Sequence, residues 1–291
     1  MAASPAAWNM AVDQALLQVM DEAPSSPVVR FYGWQPWAVS FGYGQDPSRE
    51  VDLRRCAEQG IDVVRRITGG RAVLHAEELT YSVVCAAADP VLGERIDETY
   101  RRIGEALVAG LQRFGVPAAL ERAGSRPPRT RAGDVASPCF ASIARSEVKV
   151  NGRKLVGSAQ RRLGNAVLQH GSVLTGPAHR RLLDLLPTMP PQVLAVWQGQ
   201  LRDGCIDLSE CVEGPVDELR LRAELAAGFA TALGVELVPA ALTAREQALA
   251  SALAASAPVR SGHRPGEATL ASPVEAVPGG SGRLAGGVGD C

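Results

Sequence analysis

Between Asn9 and Glu22 the chain places Met10, Leu16, Leu17 and Met20 near helical spacing, with polar residues between them. That spacing predicts an amphipathic helix over 9–22. The pattern then changes period. PVVRFYGW (27–34) and AVSFGYG (38–44) are rich in β-branched and aromatic residues and are separated by the turn-like QPW. They predict two neighbouring strands. VDLRRCAEQG (51–60) predicts a helix closed by Gly60, since a glycine just past a helix accepts the left-handed backbone that ends it. IDVVRR (61–66) predicts a strand running into Gly69-Gly70, and 72–75 and 79–87 resume β character.

In the second half, 97–114 predicts a long helix stopped by Gly115. Residues 123–137 are rich in Pro, Gly and Arg and predict a mobile loop. SEVKV (146–150), Asn151-Gly152 and RKLVGSAQRRL (153–163) form the strongest hairpin signal, because Asn-Gly tolerates the positive φ angles of a tight turn. Another strand is predicted over 166–175 and another amphipathic helix over 216–233. From about 256 the chain is dominated by Gly, Ala, Pro and Ser. The expectation is one domain over 1–255 and a disordered tail over 256–291, which cannot bury enough apolar surface to offset chain entropy. No internal repeat is evident.

Composition narrows the function classes. The 291 residues are 46% hydrophobic and 21% charged, with a net charge of −1. No overall basic field draws the chain to nucleic acid or to an anionic membrane. Lys149 and Lys154 are the only lysines among 30 basic residues, so each merits inspection. Six cysteines lie scattered with no C-x-x-C pair, and no run of about 18 apolar residues suggests a membrane span. Free thiols in a reducing cytoplasm are the expectation, without a leader peptide.

Four features carry candidate chemistry. Arg65 and Arg66 flank Gly69-Gly70, where a ligand could approach the backbone and find cations beside it; a β-bulge with solvated arginines accounts for the same residues. Lys154, just after the Asn-Gly turn, could place a point charge on a carbonyl oxygen or be a solvated edge lysine. Cys139 follows the Arg-rich loop, where a thiol beside cations could ionise and act as a nucleophile or remain inert. His75 and His170 lie in β-like stretches, with hydrogen-bonded core positions as the default. Cys205 and Cys211 flank Glu210, but no second ligand pair has zinc spacing, so no metal is expected.

Three stretches occur together and in order: RRITGGRAVLHAEELTYSVV, NGRKLVGSAQRR and AVLQHGSVL. With NMAVDQALL and RFYGWQPWAVSFGYGQ before them, they resemble the biotin/lipoate A/B ligase family over roughly residues 8–250. That family includes lipoate–protein ligases, biotin–protein ligases and octanoyltransferases. The resemblance implies an α/β (α+β type) fold, a mixed, largely antiparallel sheet with helices on one side. Family members carry a short strand ahead of the first helix, and none is evident here. The resemblance also makes Arg65, Arg66, Thr68, Gly69, Gly70, Arg71 and His75 candidates for lining an acyl pocket. Gly157, Ser158, Ala159, Gln169, His170 and Gly171 join them, and Lys154 takes the place of the family's essential lysine.

The subfamily turns on Cys139. ATP-dependent lipoate ligases usually carry an Asn-Asp pair ahead of the lysine hairpin, where this chain has Ser146-Glu147. SPCF instead resembles the LipM type of octanoyltransferase, in which a cysteine carries the acyl group. The implied reaction needs no cofactor: octanoyl passes from acyl carrier protein to a cysteine thioester, then to a lysine of a lipoyl domain or of the glycine-cleavage H protein. Alternatives are an ATP-dependent lipoate–protein ligase, an octanoyl amidotransferase working between lipoyl carriers, and a non-catalytic acyl-binding module. Arg101, Arg102, Arg126, Arg129, Arg131, Arg161 and Arg162 are candidates for a surface facing acidic carriers, or for simple solubility. A monomer is the default.

Overall fold

The structure, a computed structural model, describes residues 3–122, 146–256 and 281–285. Cys139, Arg126, Arg129, Arg131 and the 123–137 loop lie outside the described residues.

The first helix, α1 (Ala6–Glu22), follows a two-residue strand, β1 (Ala3–Ser4). The first strand that the resemblance implies, and that was not evident in the sequence, is therefore present in abbreviated form, paired parallel to the end of β2 (Val28–Trp34) through Ala3–Gly33 and Ser4–Trp34. β2 pairs antiparallel with β6 (Glu78–Ala86), β6 with β10 (Ala166–Leu174), and β10 with β9 (Arg153–Leu163). The ladder continues through β8 (Ser146–Val150) to an edge at β7 (Ala119–Arg122). In the β8–β9 turn, Asn151 and Gly152 take φ of 50° and 77°, as the Asn-Gly pair predicts.

Helices cover both faces of this sheet, not one. α1 and α7 (Ala244–Ser256) pack on Val28, Val84 and Leu168, whereas α4 (Ile96–Phe114) and α6 (Glu218–Leu233) pack on Val29, Val83 and Val167. Side chains alternate across a strand, so an all-apolar pair such as Val28-Val29 or Val83-Val84 demands cover on both sides. The second layer includes an edge-to-face Phe31–Phe229 pair, centroids 6.0 Å apart, worth about 1 kcal/mol beyond its area.

The two strands expected to be neighbours part company. β3 (Ala38–Phe41) leaves β2 for a separate three-stranded sheet, parallel to β4 (Asp62–Arg65) and antiparallel to β5 (Val73–His75). This sheet buries Val39, Phe41, Val63 and Leu74 against the second of two short helices, α2 (Pro47–Glu50) and α3 (Leu53–Glu58), leucines of a 3-10 helix (Pro177–Leu185) and α5 (Pro191–Gly204). Its separate core holds it beside the large sheet and leaves a cleft between them.

The segment expected to be a tail departs from that expectation at Ser281–Ala285. This strand, β12, pairs with β2 on one side and with β11 (Glu236–Ala240) on the other, and Arg283 forms an ion pair with Glu246. The rest of 257–291 lies outside the described residues.

Candidate active site

A cavity of about 290 Å³ opens between the two sheets. One wall comes from Met10 of α1, Tyr32 and Trp34 of β2, and Thr80 of β6. The other comes from Ser40, Arg66, Gly69, Gly70, Val73 and His75. The floor runs along β9 and β10, from Lys154 through Gly157–Gln160 and His170–Ser172. Arg66, Gly69, Gly70, His75, Lys154, Gly157, Ser158, Ala159, His170 and Gly171 thus converge from three distant stretches. Arg65, Thr68, Arg71 and Gln169 lie behind or beside the lining.

Two close approaches shape the cavity. A Cβ on Gly42 would come within 2.2 Å of the Gly70 carbonyl oxygen, so β3 and the 66–70 loop touch through backbone. A Cβ on Gly171 would meet the Gly157 carbonyl oxygen at 2.4 Å and the Tyr81 ring at 2.8 Å. Glycine at both places lets strand, loop and ring meet where any larger residue would force them apart.

Arg66 braces the loop. Its Nε and Nη2 donate to the Gly69 carbonyl at 3.3 and 3.0 Å, Nη2 also to the Arg71 carbonyl at 2.6 Å, and Nη1 to the Ser40 carbonyl and hydroxyl at 2.8 and 3.0 Å. Ser40 Oγ lies 2.7 Å from His75 Nε2, and His75 Nδ1 donates to Glu78 at 2.8 Å. Trp34 stacks on the His75 ring, centroids 3.9 Å apart, and donates to Thr80 Oγ1 at 2.7 Å; the Thr80 hydroxyl donates to Glu78. Burial pushes the Glu78 carboxyl up. The field and hydrogen bond of His75, with hydrogen bonds from Ser172 and Thr80, outweigh it and hold Glu78 below its usual range.

A second buried network holds His170. Its Nδ1 donates to Asp13 at 3.0 Å, because a carboxylate only accepts. In the neutral ring Nε2 then accepts from Thr68 Oγ1, 2.7 Å away. Asp13 also accepts from Arg30, from Tyr32 Oη at 2.9 Å and from Ser82 Oγ at 2.8 Å. Desolvation raises the Asp13 carboxyl, but the Arg30 charge and the His170 and Ser82 hydrogen bonds prevail, and it stays ionised below its usual range.

Lys154 Nζ meets Glu147 at 2.7 Å, both side chains at most 7% exposed. Along the β9 backbone, Lys154 accepts from the Ile206 amide at 3.0 Å and bridges to Cys205. Burial pushes the Cys205 thiol up to about 11 against the pull of Lys154. A hydrogen-bond ladder runs from Gln160 to Gln169 at 3.2 Å, to Tyr81 at 3.0 Å and to Ser158 Oγ at 2.7 Å. Each donor fills the next acceptor, which fixes the Ser158 hydroxyl in the cavity wall.

Asp13, Tyr32, Trp34, Ser40, Glu78, Thr80 and Tyr81 were not anticipated. Two signals pointed at some of them. Asp13 sits three residues from Met10 and three from Leu16, on the apolar stripe of its helix, where a carboxylate needs a partner. Glu78, Thr80 and Ser82 repeat at period two in an otherwise apolar strand, a polar line on one face. Of the surface arginines, Arg101 and Arg102 answer Glu105 and Glu98 on their own helix, Arg162 donates to the Gly164 carbonyl, and Arg161, next to the lining Gln160, donates to the Ile67 carbonyl. Among the described residues no His, Cys, Asp or Glu cluster could hold a metal ion, and no helix is long and apolar enough to cross a membrane.

Comparison with known proteins places these features in context. A sequence profile described as the lipoyl protein ligase A/B catalytic domain matches residues 5–230. The chain is 39% identical over 250 residues to "Octanoyltransferase LipM" of Kyrpidia tusciae, covering 86% of this chain and 91% of that protein. It is 40% identical to the protein of that name from Symbiobacterium thermophilum (86% and 90% covered) and 36% to that from Bacillus subtilis (84% and 88%). Among solved structures, lipoate-protein ligase A bound with ATP superposes with a TM-score of 0.67 at 24% identity, covering 88% of this chain and 93% of that one. The bipartite lipoate protein ligase of Thermoplasma acidophilum gives 0.69 at 24% (88% and 91%). At that identity the two structures speak for the fold.

Proposed function

The chain belongs to the lipoyl protein ligase A/B catalytic-domain family, and within it we infer an octanoyltransferase of lipoate biosynthesis. It is an acyltransferase whose substrates are carrier proteins or lipoyl-domain proteins. We assign the chemistry to residues 1–255 and the donor to octanoyl-acyl carrier protein. The acceptor is a lysine of a lipoyl domain or of the glycine-cleavage H protein. The reaction needs no nucleotide and runs in the cytoplasm, on a monomer.

In this reading the Cys139 thiolate attacks the octanoyl thioester carbonyl, the carbonyl–sulfur bond to the carrier breaks, and the carrier leaves as a thiolate that takes a proton from solvent. The acceptor's neutral lysine amine then attacks the enzyme thioester. An amide forms, Cys139 leaves as thiolate, and the amine proton passes to solvent. Thiol-for-thiol exchange is nearly isoenergetic and thioester to amide runs downhill, so neither step requires activation. Two bulky protein substrates can use one pocket in turn. The ammonium of Lys154, aimed into the cavity, stabilises the oxyanion of each tetrahedral intermediate. Gly69 and Gly70 leave room for the acyl carbonyl against backbone, and Gly157, Ser158, Ala159 and Gly171 line the chain's path.

The observation that carries the reading is the charge balance at the cavity. Of the lining cations, Lys154 faces Glu147 and Arg66 is committed to carbonyl and hydroxyl oxygens, and behind the lining Arg30 faces Asp13. At about 290 Å³ the space lies at the small end of ligand pockets. An uncharged medium-length acyl thioester suits a site of this size and charge balance. Cys139 precedes Ser146 by seven residues, a tether of at most roughly 24 Å when extended. That reach supports Cys139 as the nucleophile beside Lys154.

Intact-protein mass spectrometry with octanoyl-acyl carrier protein and no ATP tests the reading. The expected result is an octanoyl adduct that hydroxylamine removes and that Cys139→Ser cannot form as a thioester. Transfer to a lipoyl domain only when ATP and free octanoate are supplied would instead make the protein a ligase.

A further inference from the structure

We propose that the cavity rim at Tyr43 and Arg161 is the docking platform for the acyl-donating carrier, an acidic protein; the proposal rests on the octanoyl-transfer reading above. Gly69 and Gly70 line the cavity and are exposed, so they form its lip. Tyr43 is tied to that lip through its amide, which donates to the Thr68 carbonyl at 2.8 Å. Arg161 is tied to it from the β9 side, donating to the Ile67 carbonyl at 2.6 Å. The Arg161 guanidinium lies over the Tyr43 ring at 4.8 Å, yet the tyrosine is 65% exposed.

An exposed aromatic already fixed by backbone and by a stacked cation has lost much of its freedom before a partner arrives. That lowers the ordering cost of binding, and Tyr with Arg is the pairing enriched at interface anchors. Among the described residues, cations predominate around Tyr43. Arg65 braces the Tyr43 and Gln45 carbonyls at 2.9 and 2.6 Å, and Arg71 lies next along the loop. Among the described residues no carboxylate forms an ion pair with Arg65, Arg71 or Arg161, whereas Arg101, Arg102 and Arg153 each answer a glutamate. Asp46, the acid beside Arg65, is engaged by the Ser48 amide and hydroxyl and sits next to Arg49. In a chain of net charge −1 the mouth is a local positive patch around one aromatic. It fits an acidic carrier that must dock over the cavity, unload and leave, since rim charges act mainly on encounter rate.

The test compares two octanoyl donors in single-turnover acyl loading: the acyl carrier protein thioester and the N-acetylcysteamine thioester, which has no protein surface. The variants are Arg161→Gln, Tyr43→Ala and the double substitution. For the double variant the carrier-bound donor is expected to lose about tenfold or more in kcat/KM and much of its salt dependence. The small thioester should stay within about twofold. Equal losses with both donors would make the platform part of the pocket and overturn the proposal. So would intact loading from the carrier with a loss only in transfer to a lipoyl domain, which would assign the surface to the acceptor. A wild type that loads from neither donor would overturn the octanoyl-transfer reading itself, and the platform with it.

Discussion

Replacing Asp13 by Asn tests whether the buried networks around the cavity are held by charge. Asp13 is 1% exposed and accepts from Arg30, Tyr32, Ser82 and His170. An asparagine of the same shape leaves the Arg30 guanidinium, itself 9% exposed, without its counter-charge. It also turns an NH₂ group towards at least one of four donors. Removing one member of a buried ion pair costs about 3 to 5 kcal/mol. For a protein of this size that lowers Tm by roughly 6 to 20 °C. The pH dependence has a definite sign. Because the folded carboxyl titrates below its unfolded value of 3.8, its stabilisation is complete above that value and is lost as pH falls through the folded value. Wild type and Asp13→Asn should therefore differ by a constant amount between pH 5 and 7, and the gap should shrink below about pH 4. Urea unfolding at several pH values measures both. A loss under about 1 kcal/mol at pH 7, or a gap that does not shrink in acid, would refute the argument.

Lys154→Ala should slow thioester formation about 100-fold or more, the scale of losing one oxyanion partner. Loading within tenfold of wild type, on protein shown to be folded, would remove Lys154 from the chemistry. Cys56, Cys85 and Cys205 carry thiols that burial raises to about 11, about 12 and about 11. At pH 8 their thiolate fraction is on the order of one in a thousand or less. Iodoacetamide should leave all three unmodified in the native protein and label them in urea; native labelling of Cys205 at the rate of a free thiol would show the burial to be wrong.

Local signals served the sequence reading well where a single residue type dictates backbone. Asn151-Gly152 marks the hairpin, and Gly115, at φ 101°, ends the long helix. The large elements of the catalytic region were legible for the same reason. The separation of β2 from β3 was not, because two β-rich runs joined by a short turn look the same whether they pair or diverge into two sheets. Much of the core that decides it, from the 3-10 helix and α5, is contributed from far along the chain. β12 was illegible for a related reason. SGRLA has no strand character of its own, and its place comes from unpaired edges of β2 and β11 and from Glu246. In the site, the RRITGG, GRK and QHG stretches stood out through their joint resemblance to the family, not singly. Their supports carried only the faint signals of polar residues on apolar faces, because Asp13 acts through a partner 157 residues away and Glu78 through side chains on both sheets.

Those supports explain a division of labour between the two sheets. The small sheet and its loop supply exposed backbone at Gly69-Gly70, which an acyl carbonyl can approach, but such a loop has little rigidity of its own. The large sheet supplies the rigidity. His170, on the central strand β10, holds Thr68 at 2.7 Å, while Glu78 on β6 holds His75 and, through Ser40, the Arg66 brace. His170 thus links a carboxylate on α1 to the loop hydroxyl of Thr68, and His75 links a carboxylate on β6 to the β3 hydroxyl of Ser40. Both links cross from the large-sheet side of the cavity to the small-sheet side, so each helps set the spacing of the two walls. Burial alone would favour protonation of both carboxylates; the facing Arg30 and His75 prevent it. The ion pairs behind the cavity therefore support its walls from outside the lining, and in the octanoyl-transfer reading their effect on the acyl chain is indirect.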